Sequence, residues 1–204
     1  MKTLLAIALS SAAVAFAGGQ PAPAKATIVL DNARVRAYRV PVGGLGSVEH
    51  RPGVVVVIAD GGDQKKGNAY WAPDAAGHDS ATSNVAPMVI VVPKDAHAGP
   101  PPASASKPGD ATFTGMSFKT LFENDKVTAI RARMEEHASE AFHTHASDTI
   151  VVHLSGGSIE DTANGKTVVN HWKPGDVEFE SLGSSHSARN VGPAVDVVLV
   201  ALKP

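Results

Sequence analysis

The chain repeats itself. Leu30 to Arg39 (LDNARVRAYR) resembles Phe122 to Arg131 (FENDKVTAIR), and Val54 to Gly62 (VVVVIADGG) resembles Thr149 to Gly157 (TIVVHLSGG). Asn84-Val85-Ala86-Pro87 leads into an apolar run that ends at Lys94, and Asn190-Val191-Gly192-Pro193 leads into one that ends at Lys203. The matches come in the same order in both halves, which points to duplication of one small unit. A chain of 204 residues has room for two such units. Between them, Pro93 to Asp110 (PKDAHAGPPPASASKPGD) carries three consecutive prolines, which favour an extended connector. His97 lies in that connector and reads as a solvated loop residue.

Each half reads as strands. Val54 to Ile58 is β-branched and too short for a helix. Asn164-Gly165 ahead of Thr167-Val168-Val169 is a hairpin-turn signal, and Val195 to Leu202 is another β-rich run. No stretch has a long, capped helical period. Arg131 to Phe142 contains Ala and Glu, but His137, Ser139 and the histidines that follow read as a loop entering a strand. Short strands with Gly and Pro turns, twice over, suggest barrels or sandwiches.

The first residues read as a signal peptide over 1–17. Lys2 supplies the positive end, Leu4 to Phe16 the apolar core, and Ala15-Phe16-Ala17 the cleavage site before Gly18. A disordered lead-in is expected over 18–27. The protein is therefore expected to be periplasmic or secreted, with no membrane span once the apolar stretch is cleaved, since that stretch is short for a bilayer. With 18 Lys and Arg against 20 Asp and Glu, the formal charge is −2. No basic run is present, so nucleic acid is not an expected partner. There is no cysteine, which excludes disulfides, thiolate ligands and Fe–S clusters.

His143-Thr144-His145 is the sharpest chemical feature. Alternate residues of a strand share a face, so its imidazoles converge as a metal requires. The run continues through Asp148, Thr149 and His153 to Gly156, and further on Gly175, Ser181, Gly183, His186 and Asn190 follow at fixed spacing. These residues resemble the two motifs of the cupin superfamily: His-x-His, an acidic ligand and Gly, then Gly-x5-Pro-x-Gly-x2-His-x3-Asn. Ser181 replaces the proline. The resemblance covers about Leu121 to Pro204 well and Ile28 to Lys94 faintly.

The resemblance implies an all-β fold of two tandem jelly-roll barrels, with a degenerate N-terminal copy over 28–94, a Pro-rich linker over 95–111 and a metal-binding copy over 112–204. It implies that His143, His145 and His186 hold one divalent transition metal: Fe, Zn, Mn, Ni or Cu. The motif's acidic ligand falls at Thr149, which is neutral. Asp148 is adjacent and could turn inward through a bulge, or could stabilise a turn. His153 shares strand parity with Thr149 and reads as core or as support for the metal site. His137 reads as a loop residue near the mouth, and His171 as a strand-surface residue. Glu178 and Glu180 alternate with Val177 and Phe179, as on a half-solvated strand, although one could act as a general base. In the N-terminal half His145 aligns with His50, His143 with Val48 and Thr149 with Val54. His186 aligns with Ser80 or His78, so no complete site remains there. The expected ligand is a small molecule and the chain could form a homodimer. A dioxygenase-like or isomerase-like enzyme is one reading, and a non-catalytic small-ligand or metal-binding module is the alternative.

Overall fold

The structure is a computed structural model that describes residues 24–78, 80–95, 99–106 and 111–203. The expected signal peptide, the lead-in as far as residue 23, and His97 lie outside the described residues.

The N-terminal half contains β1 (Thr27–Asp31), β2 (Val35–Val40), β3 (Gly53–Val57), β4 (Ala69–Ala72), α1 (Ala75–His78), α2 (Ser80–Ser83) and β5 (Met88–Pro93). Its strands form one antiparallel sheet in the order β1-β2-β5-β3-β4. The C-terminal half contains β6 (Phe113–Glu123), β7 (Val127–Thr144), β8 (Thr149–His153), β9 (Gly157–Ala163), β10 (Lys166–Trp172), β11 (Val177–Glu180), β12 (Ser185–Asn190) and β13 (Val195–Leu202).

β7 organises this half. One edge pairs with β6. The other pairs first with β13, over Val127 to Met134, and then with β12, over Ser139 to Thr144. Between these stretches the strand bends at His137, whose φ is 64°, and β6 bulges beside it at Gly115, whose φ is 68°. A side chain at Gly115 would meet the Ala138 Cβ at 3.0 Å, so glycine permits the close approach. The bent β6–β7 hairpin thus belongs to two sheets, β6-β7-β13-β8-β11 and β6-β7-β12-β9-β10, which fold over one another. The segment expected to be a loop, Arg131 to Phe142, lies wholly inside β7. Ala132 and Met134 alternate with exposed or half-exposed neighbours, and that period of two keeps the chain extended.

The order β1-β2-β5-β3-β4 reproduces β6-β7-β13-β8-β11 strand for strand. The turns agree as well. Asn32 Oδ1 accepts from the Arg34 and Val35 amides at 2.8 and 2.9 Å, and Asn124 Oδ1 from those of Lys126 and Val127 at the same distances. The N-terminal half therefore repeats one of the two jelly-roll sheets, and the second barrel expected over 28–94 is an open sheet. The described residues hold no counterpart of β9, β10 and β12; the segment 58–68 stands in the place of β9 and β10, and α1 and α2 in that of β12.

An open sheet of Val and Ile must be covered on both faces. On one face Tyr38, Val40, Val55, Met88 and Ile90 pack under Val48, Ala72 and Ala75. On the other, Val35, Val54, Val56, Val89 and Val91 meet Val127, Ile150, Val152, Val198 and Val200 of the C-terminal half in one shared core. The equivalent sheets thus pack face to face, with β1 against β11 and β4 against β6. The facing pattern matches Val54, Val56 and Ile58 to Ile150, Val152 and Leu154, one residue away from the sequence alignment. Arg39 donates to the Gly175 carbonyl at 2.9 and 3.1 Å, and Arg131 reciprocates by donating to the Lys66 carbonyl beside Gly67 at 3.4 Å. Both glycines have φ of 82°. Among the described residues no helix is long and apolar enough to cross a membrane.

Candidate metal centre

The two sheets of the C-terminal half enclose a cavity of about 450 Å3. His143 lies near the end of β7, directly opposite His186 on β12, and His145 follows one residue after β7. All three imidazoles enter the cavity, each offering a nitrogen within 4.8 Å of the other two. Strand alternation sends the intervening Thr144 elsewhere; its hydroxyl meets Ser185 Oγ at 2.7 Å.

The hydrogen bonds fix how the rings present themselves. His143 Nδ1 donates to the Ala141 carbonyl at 3.0 Å, which leaves its Nε2 lone pair free. His186 Nδ1 is 2.8 Å from Asp161 Oδ1, which accepts its proton and again leaves Nε2 free. His145 Nε2 lies 3.1 Å from His186 Nε2, a separation that adjacent ligands of one ion adopt. Burial, reinforced by the charges of His186 and His143, pushes the His145 pKa down to about 4. His145 is therefore neutral at pH 7, the form that binds metal.

Carboxylates surround the imidazoles. Glu140, Asp161, Glu178 and Glu180 all line the cavity. Burial raises the pKa of Glu140 and Glu178, and raises that of Glu180 well above the ordinary carboxylate range, where Glu178, Glu140 and Asp161 add repulsion. Glu180 pairs with Thr149 across the strands, so the acid missing from position 149 has a neighbour in register. Its oxygens lie 3.7 Å from His145 Nδ1 and 3.9 Å from His186 Nε2. Glu178 and Glu180 thus face the cavity, not solvent. The apolar partners Val177 and Phe179 point the other way, onto the core shared with the N-terminal half.

Asp148 is not among the cavity residues. One oxygen accepts from Arg34 Nε at 2.6 Å and the other from the Leu182 amide at 2.8 Å. The bulge that would turn it toward the histidines is replaced by this inter-half ion pair. Nothing in the local sequence marks Glu140 as a cavity residue. For Asp161 the only signal is its two-residue spacing from Ile159, which also lines the cavity. His153 lines the cavity too, fully buried and stacked on Trp172 with ring centroids 4.5 Å apart. His171 meets Ser158 Oγ at 2.8 Å on an exposed strand, and His137 is exposed at the β7 bend. In the N-terminal half His50 is exposed beside Asp74, and the Ser80 position lies in α2. The His78 side chain is outside the described residues.

Two sheets sharing a bent hairpin, with histidines from the His-x-His strand and from the Gly183–Asn190 segment meeting between them, decide the architecture. The C-terminal half has a cupin fold. Among solved structures, cupins are similar to this chain at low identity. A cupin domain from Bordetella pertussis Tohama I is 18% identical, covering 46% of this chain and 98% of its own, with a TM-score of 0.42. A cupin superfamily protein from Desulfitobacterium hafniense DCB-2 is 16% identical over 53% of this chain and 100% of its own, with a TM-score of 0.38. The polyketide cyclase RemF from Streptomyces resistomycificus is 19% identical over 44% of this chain and 66% of its own, also at 0.38. These likenesses concern fold. No protein-family model and no curated protein matches the chain. The donor set of the cupin half, imidazoles flanked by carboxylates, suits a borderline transition metal better than Mg or Ca.

Proposed function

We propose that the cupin half binds one divalent transition metal through His143, His145 and His186, and that it holds a small molecule against that metal inside the cavity. The observation that carries this reading is the convergence of the imidazoles with the Nδ1 atoms of His143 and His186 already tied, so that both Nε2 lone pairs are presented together. Glu180 is the carboxylate placed to complete the donor set. Bound there, the metal would supply Lewis-acid polarisation and a template for a substrate oxygen.

The chain's own residues define the rest. Asp161 fixes the His186 ring. Val151, Val197, Leu199, Met134 and Ile159 give the cavity apolar walls that exclude water. Glu140 and Glu178, held toward their protonated forms, are placed to hold or move a proton beside the ligand. This set favours an enzyme of the dioxygenase-like or isomerase-like kind over a passive module, because buried carboxylates with raised pKa values lining a ligand cavity are the arrangement that acid–base chemistry uses. The apolar leader at Leu4 to Phe16 supports export.

The test is metal analysis of the purified protein beside two variants. His143→Ala should lose most of its metal, and His50→Ala should keep it. Equal loss in both would misplace the site. Turnover that disappears on chelation and returns with one metal marks the enzyme; stoichiometric binding without turnover marks the module. Mature protein beginning at Gly18 would support export.

A further inference from the structure

The metal site leaves one cavity residue unexplained. His153 is 1% exposed and lines the cavity, yet neither of its ring nitrogens meets a hydrogen-bond partner among the described residues. A buried polar group left unmet costs about 1–3 kcal/mol. His153 shares its face of β8 with Thr149 and Val151. Four residues along a strand span about 13 Å, so His153 sits at the opposite end of the cavity from Glu180 and the imidazoles, which gather at the level of Thr149. Val151 and its partner Leu199 fill the wall between, and Val197 pairs with His153 itself. Trp172 stacks almost parallel on the ring, at 16°, and holds its orientation.

We infer that His153 is a ligand-recognition residue, and that the cavity takes an elongated, largely apolar small molecule carrying an uncharged hydroxyl at the end away from the imidazoles. The hydroxyl is the group this site selects. A neutral imidazole offers one donor and one acceptor, and a hydroxyl can satisfy either. The one charge that acts on the ring, the Asp176 carboxylate, is already paired with Arg39, so a charged ligand group would leave water for apolar walls without a free counter-charge at that end. The inference rests on the proposed function only for the other end of the ligand, which would meet the metal.

Phenol and toluene test it in chelator-treated, metal-free protein at neutral pH. They match in shape and differ by the hydroxyl. Wild type should bind phenol about tenfold more tightly than toluene, the effect of one well-made buried hydrogen bond. His153→Phe should abolish that preference, and His153→Gln, which keeps a donor and an acceptor, should restore part of it. In wild type, phenol should shift the 15N resonances of the His153 ring and toluene should not, a readout that stands even where a variant fails to fold. Equal binding of phenol and toluene, no binding of either, or unmoved His153 resonances would overturn the inference. Zinc titration of the same samples tests the metal reading separately. Phenol preference without zinc binding leaves this inference standing and removes the metal site, and zinc binding without phenol preference does the reverse.

Discussion

Arg34 and Asp148, one in each half of the chain, form an ion pair with Nε 2.6 Å from Oδ2, both side chains largely buried. The second Asp148 oxygen holds the Leu182 amide, so this carboxylate ties the turn before β8 to the segment after β11 and to the N-terminal sheet. Removing one partner of a buried pair strands the other charge. Asp148→Asn should therefore lower unfolding stability by about 3 kcal/mol. Metal content should stay at the wild-type level, because the carboxylate is committed away from the imidazoles. Denaturant unfolding and metal analysis on one preparation check both halves of the statement; loss of metal from a folded variant would return Asp148 to the ligand set.

The shared core makes the halves interdependent. Ile150, Val152, Val198 and Val200 are fully buried, and they point away from the cavity onto Val54, Val56, Val89 and Val91. Residues 112–204 produced alone would expose that apolar face. They should self-associate or precipitate, while the full chain stays dispersed. Size-exclusion chromatography with light scattering decides it: a monodisperse, stable monomer of 112–204 would mean that the interface contributes little. The same packing constrains assembly, because a homodimer of the full chain must use a different surface.

The repeat and the His-x-His pattern were legible because both are local. Strand runs and two-residue spacing survive without knowledge of the partner. The facing of β11 was not legible. Val177 and Phe179 look like the core side of an amphipathic strand, and Glu178 and Glu180 like its wet side. The assignment inverts because the barrel interior is a polar-lined cavity and the apolar side packs on the other half of the chain. Of the two readings of Asp148, the sequence could not show the ion pair, since Arg34, its partner, lies 114 residues away. The missing barrel was hidden as well. The three sequence matches fall on strands of the duplicated sheet; they touch β9 and β12 only at the end residues Gly157 and Asn190 and miss β10, a gap that marks the lost sheet.

Asp161 would act on a bound metal through His186. Its Oδ1 accepts from Nδ1 at 2.8 Å and so sets both the tautomer and the tilt of the ring. Outer partners of this kind are worth about 10–100-fold in metal affinity. Asp161→Ala should weaken zinc binding by that factor with the fold intact. Glu160→Ala is the matched control: its side chain pairs with Arg189, one residue along β9, and it does not line the cavity. Competition against a chelator of known affinity measures both. Equal affinities for the two variants would mean that Asp161 does not orient His186.

His153 also predicts how stability depends on pH. Burial pushes its pKa from the ordinary 6.5 down to about 4 in the folded state. Between those values the unfolded chain binds a proton that the folded chain refuses, so this residue's contribution is complete above about pH 6.5 and is lost as pH falls toward 4. Across the whole interval the loss is about 3 kcal/mol. Glu140, Glu178 and Glu180 have raised values and act in the opposite direction, which obscures the effect in wild type alone. The difference between wild type and His153→Phe isolates it. In metal-free protein, denaturant unfolding at pH 7.5 and again near pH 5 should show the variant gaining on wild type by about 2 kcal/mol as pH falls. A gap that stays constant over that range would mean that His153 takes up its proton as readily in the folded chain as in the unfolded one, and that the cavity end it occupies is wet.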